Sequence, residues 1–163
     1  MTEVYWTTPT GFAIFCDDIR HEVSGKVSLV GVYNGVMYFV SPFPAFVPKI
    51  GVRIVYVESP GESNESVQLR LVLRQESGET VLHSFDIPAS ERDKGAVPNI
   101  SQGTKAFLTI TRHVELSPLV VTSPCMISAR AYRGDLEVRL GALSLMHHPQ
   151  FVQPVPSPAP PST

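Results

Sequence analysis

Apolar residues recur at every second position in short runs rich in β-branched side chains, and Gly, Pro, Ser and Asn separate the runs. A period of two sends alternate side chains to opposite faces of a strand, so the pattern predicts sheets with one buried and one wet face. The clearest run is Val67 to Gln75, where Val67, Leu69, Leu71 and Leu73 share one face and Gln68, Arg70, Val72 and Arg74 the other. Gly11 to Ile19 and Lys26 to Tyr33 read as two strands joined by a polar turn through His21, Glu22, Ser24 and Gly25. Together they predict a hairpin. Val36 to Val40 is a short aromatic strand and Ile50 to Glu58 a longer one. Between them stand Pro42, Pro44 and Pro48, each without a backbone donor, which predicts an extended crossover with no ladder pairing.

Glu76-Ser77-Gly78-Glu79 supplies a turn into Thr80 to Ile87, making that strand the neighbour of Val67 to Gln75. Pro88 to Gly103 is a long polar connection in which Ser90, followed by Glu91, predicts one capped helical turn. Strand character resumes over Lys105 to Leu116 and Pro124 to Tyr132, and Arg133-Gly134-Asp135 turns the chain into Leu136 to Met146. The expected fold is all-β, an antiparallel two-layer β-sandwich of the immunoglobulin-like or C2-like kind with about eight strands, ahead of a closed barrel. The Cys, Trp, Cys order of antibody domains is missing, because Trp6 precedes both Cys16 and Cys125. The domain is expected over residues 1–148. Residues 149–163 hold six of the 15 prolines and few apolar groups, which predicts an extended or disordered tail acting as a spacer.

The chain has 163 residues, 13 Lys plus Arg against 15 Asp plus Glu, and 17% charged residues. One domain of that size supports its own core. A net charge of -2 gives no reason to expect sequence-independent nucleic-acid binding, although a local basic patch is compatible with it. Gly31, Asn34, Ser41, Pro42, Pro44 and Pro48 interrupt the longest apolar region, so no membrane span is expected. The first six residues, Met1 to Trp6, carry an acid and no Lys or Arg, unlike a secretory signal. The expected location is the cytoplasm, or a virion if the protein is an assembly component. There Cys16 and Cys125, each in a strand-like run without a CxxC, read as small hydrophobes.

The string Phe12 to Tyr33, with Cys16-Asp17-Asp18-Ile19-Arg20, then Gly25-Lys26, then Gly31-Val32-Tyr33, resembles the opening of a family of small uncharacterised bacterial proteins. Phe43-Pro44 and the hairpin around Gly134 are similar too. The resemblance implies a bacterial or phage context and supplies no chemistry.

The densest polar cluster is Asp17, Asp18, Arg20, His21, Glu22 and Lys26. A calcium site of the C2 type needs several oxygens converging on one ion, but adjacent Asp residues on a strand point to opposite faces. The expected role is structural, with Asp17 or Asp18 pairing with Arg20 or Lys26. The five histidines lack metal-site spacing, Cys16 is embedded in an apolar run, and neither Gly-x-Ser-x-Gly nor a phosphate-binding loop occurs. No enzymatic activity, metal or cofactor is expected. Tyr38, Phe43 and Phe46 stand in a segment more aromatic than a crossover requires, and if exposed they form the sort of patch that binds partners. The expectation is therefore a protein-interaction or structural module, whose alternatives are a phage assembly component and a C2-like module binding lipid or calcium.

Overall fold

A computed structural model describes residues 9–59, 64–92 and 108–150. In chain order the elements are β1 (Thr10–His21), β2 (Val27–Val32), β3 (Val36–Phe39), β4 (Ala45–Val47), β5 (Ile50–Glu58), β6 (Val67–Gln75) and β7 (Gly78–Ile87). They continue with α1 (Ala89–Arg92), β8 (Leu108–Leu116), β9 (Leu119–Val121), β10 (Cys125–Arg133) and β11 (Leu136–His147). The fold is all-β, as the alternation predicts, but with 11 strands among the described residues rather than about eight. They form a four-stranded sheet in the order β2-β1-β5-β8, a five-stranded sheet in the order β3-β11-β10-β6-β7, and the pair β4-β9. Both larger sheets are open, which removes the closed barrel.

The three predicted hairpins are present, the last joining β10 to β11 with Arg133 opposite Leu136. β1 and β2 pair from Cys16 opposite Val32 to His21 opposite Val27, and Gly25 takes a φ of 75° in the turn. β6 has the predicted bounds and pairs with β7 from Val67 opposite Ile87 to Gln75 opposite Gly78. Its Val67, Leu69, Leu71 and Leu73 enter the core, together with Ile127, Ala129 and Ala131 of β10 and Val52, Ile54 and Tyr56 of β5. One apolar cluster thus draws on both large sheets.

Three expectations need correction. The proline segment is not free of pairing: Ala45, Phe46 and Val47 stand opposite Val121, Val120 and Leu119. Pro44 and Pro48 flank those three residues without occupying them, so the donors the ladder needs are intact. Pairing is also not wholly antiparallel, because β3 runs parallel to β11, with Tyr38 opposite Met146. The chain reaches β3 from the edge of the other sheet through Tyr33, Asn34 and Gly35, and that passage fixes its direction. Finally, α1 begins before Ser90: the Glu91 amide donates to the Pro88 carbonyl at 3.0 Å, which puts Ser90 inside the turn rather than at its cap. Most of the Pro88 to Gly103 connection, the start of the predicted Lys105 to Leu116 strand as far as Phe107, and the tail beyond Gln150 lie outside the described residues.

The sheets close on one another where β1 passes β11. Between Ala129 and Arg130 the β10–β11 register slips, so that Ala129 faces Gly141, Arg130 faces Arg139, and Leu140 is the extra residue of a bulge. The bulge turns Leu140 inward to 5% exposure, within the core. Gly141 has a φ of 152°, and a Cβ there would sit 3.2 Å from the Ala13 carbonyl oxygen. A glycine at that position lets the two strands touch.

Candidate functional site

The first hairpin folds Tyr33 back beside β1, its amide donating to the Phe15 carbonyl at 2.9 Å. The Tyr33 hydroxyl then donates to the Asp17 carboxylate. Gly31 makes this approach possible: it has a φ of 65°, and a Cβ would collide with the Asp17 carboxylate. Burial, and then the hydrogen bond to Asp17, hold the Tyr33 phenol far above its ordinary pKa, so it stays a neutral donor.

Asp18 faces a different set of partners. Lys49 Nζ lies 2.5 Å from its Oδ1 and Arg20 Nε 3.1 Å from its Oδ2, and Lys49 also stands 4.0 Å from Glu115. The hydrogen bond from Lys49, and then that from Arg20, lower the Asp18 carboxyl below its usual range, while Asp18 raises the Lys49 ammonium. Glu22 sits at the far turn and accepts a hydrogen bond from the Ser28 hydroxyl at 2.8 Å. The first-turn cluster is thus divided among separate partners: Asp17 with Tyr33, Asp18 with Arg20 and Lys49, Glu22 with Ser28. Among the described residues no group of three or more His, Cys, Asp or Glu side chains is placed to hold a metal ion.

The aromatic segment divides as well. Phe43 packs against the core, its ring 5.4 Å from Phe39 and 4.4 Å from His147 between centroids. Phe46 instead points outward at 64% exposure, opposite Val120 at 56%. Tyr38 is 48% exposed and its ring meets His148 at 5.4 Å. Of the three expected contact residues, Tyr38 and Phe46 face solvent and Phe43 serves mainly as support.

These two regions, which the sequence presents as separate, line one cleft of about 360 Å³. One wall is β3, all four of whose residues line it, and the other is Phe46, Val47, Pro48 and Lys49, with Asp17 and Tyr33 at the polar end. β3 ends its sheet, so among the described residues its edge away from β11 is unpaired. Tyr33 stands out in the sequence only as the end of the Gly31-Val32-Tyr33 string, and Lys49 not at all. Their partners lie 16 and 31 residues away along the chain.

The two cysteines are free thiols; Cys16 is fully buried and Cys125 half-buried, and burial raises the pKa of both. No helix among the described residues is long and apolar enough to cross a membrane. No curated protein matches the chain. A family model does match over residues 11–138, a span that contains Asp17, Tyr33, Tyr38, Phe46 and Lys49. The chain belongs to that family, DUF6941, a family of unknown function.

Proposed function

We propose that the protein is a non-enzymatic interaction module, built on a two-layer β-sandwich, that takes up an extended segment of a protein partner along the open edge of β3. The observation that carries this reading is the shared cleft: Tyr38 and Phe46, on different sheets, flank a strand edge with unused ladder positions. An added strand gains affinity from main-chain hydrogen bonds and specificity from pockets for alternate side chains. Four residues of β3 offer roughly 13 Å of edge, at about 3.3 Å per residue. The wall from Phe46 to Lys49 faces β3 across the cleft, so an incoming chain meets side chains on both flanks. Asp17 and Lys49 mark the polar end, where a partner's charged or hydrogen-bonding side chain is read.

The test is to pan a library of extended 12-residue peptides against the full chain, with amide chemical shifts locating the bound peptide. Selected peptides are expected to alternate apolar and polar positions, to perturb the amides of β3, and to lose binding in Phe46→Asp while the fold persists. Peptides that bind Phe46→Asp as well as wild type, or that perturb a different edge, overturn the proposal. So does self-association of the wild-type protein that Phe46→Asp abolishes, because the occupant is then a second copy in an assembly.

A further inference from the structure

The outward face of the five-stranded sheet carries a second site, independent of the cleft. The β6–β10 register places Arg70 opposite Arg130, Val72 opposite Ser128 and Arg74 opposite Met126, and the β11 bulge brings Arg139 opposite Arg130. A pocket of about 400 Å³ opens there, lined among others by Ser128, Arg74, Arg130, Arg139, Met126 and Leu140.

Ser128 is the informative residue. It is 7% exposed, and its Oγ has no hydrogen-bond partner. A buried hydroxyl without a partner is destabilising, and such groups in native structures ask for an explanation. Arg74 and Arg130 beside it are held by ion pairs. Glu79 receives Arg130 Nη2 at 2.9 Å and Arg74 Nη2 at 2.8 Å, and Arg130 Nε stands 3.6 Å from Glu137. Arg130 is only 14% exposed along its side chain, whereas Arg139, 3.8 Å from Glu137, is 89% exposed. The guanidinium groups of Arg74, Arg130 and Arg139 share the two carboxylates of Glu79 and Glu137, and Arg70 beside them lies over the Tyr132 ring, so this face carries surplus positive charge. Met126 and Ala142 add apolar lining beside that charge.

We infer that this pocket binds a small organic monoanion, its carboxylate accepting from the Ser128 hydroxyl and Arg139 while its apolar body rests against Met126 and Ala142. A negative charge offsets the surplus, and a carboxylate presents the two acceptors that a guanidinium fork matches. The Ser128 donor then gains the partner it lacks.

Benzoate serves as the probe, with neutral benzamide and inorganic phosphate as comparisons, titrated into the full chain at low ionic strength and followed by amide shifts. Benzoate is expected to saturate shifts at Ser128 and Gly141 and to bind about tenfold more tightly than benzamide, the scale of one charge-assisted hydrogen bond. Arg139→Gln is expected to remove about that factor. Ser128→Ala is expected to weaken benzoate severalfold while leaving the melting temperature of the free protein unchanged or higher, because it deletes an unsatisfied buried hydroxyl. Equal binding of benzoate and benzamide, unaltered benzoate binding in both variants, or saturation by phosphate with none by benzoate would overturn the inference.

Discussion

Arg133, at the end of β10, donates through Nη1 to the carboxylate of Glu58, at the end of β5, at 3.0 Å. The two residues belong to different sheets, and the Glu58 side chain is only 1% exposed. The Tyr56 hydroxyl donates to the same Oε2 at 2.8 Å. The edge of the apolar core is thus tied across the sheets by a charge-assisted bond supported by a phenol. Removing one partner strands a buried charge, whereas removing both does not.

Arg133→Met is accordingly expected to lower unfolding stability by about 3 kcal/mol or more. The double variant Glu58→Leu, Arg133→Met is expected to recover most of that loss. Urea denaturation of the wild type, the single and the double variant measures both. A single variant within about 0.5 kcal/mol of wild type, the usual range for a surface change, would show that the tie contributes nothing.

Gly31→Ala tests the approach of β2 to Asp17. The substitution meets both a φ of 65° and the Asp17 carboxylate. The backbone alone costs about 1–2 kcal/mol for an L-residue, and displacement of Asp17 from Tyr33 adds to it. Thermal unfolding is expected to show a clear drop, and Gly31→Ala with Asp17→Ala is expected to regain part of it, since the collision is relieved.

Phe43 and Phe46 lie three positions apart and are expected to behave oppositely. Phe43→Ala removes a ring packed against Phe39 and His147, at a cost of about 2 kcal/mol, less than the 3–5 kcal/mol of a fully buried phenylalanine. Phe46→Ser changes an exposed position, where effects stay within about 0.5 kcal/mol. Chemical denaturation distinguishes the two, and equal losses would mean that Phe46 is buried in solution.

Stability is expected to fall with acid in two stages. Burial, then the charges of His21 and Arg53, lower the pKa of His113 in the folded protein. Folding therefore disfavours its protonated form, and its contribution is present above the unfolded value and fades as pH drops below about 6.5. Asp18 and Glu79 have folded pKa values below their ordinary ones, through Lys49 and Arg130 respectively. Their contributions persist to lower pH and are lost from about pH 4 downward. Denaturant midpoints across pH check the order of the stages: His113→Gln is expected to flatten the upper one and Lys49→Met the lower.

The strands legible in the sequence are those long enough to repeat their alternation. Val67 to Gln75 shows four inward positions, and β6 has the same bounds. β4 and β9, with three residues each, offer one alternation apiece and look like loop. No local pattern encodes that β3 runs parallel to β11, because direction depends on where the chain arrives from rather than on what it contains. For the site, Tyr38 and Phe46 were visible as aromatics out of place, and Asp17 and Asp18 as a dense polar pair. Their convergence was not visible, since it is made by the hairpin that returns Tyr33 and by β4 crossing beside β3. Ser128 gave no sequence signal, as a serine on a strand is ordinary until its surroundings deny it a partner.

Residues 27–39 close one side of the four-stranded sheet as β2 and one side of the five-stranded sheet as β3. Mechanically this stretch is a clasp. Peeling the molecule open from that side must lift the same piece of chain from β1 and from β11, and anything that grips β3 also stiffens β2. A strand laid along β3 would extend the five-stranded sheet on a piece of chain that β2 anchors to the other.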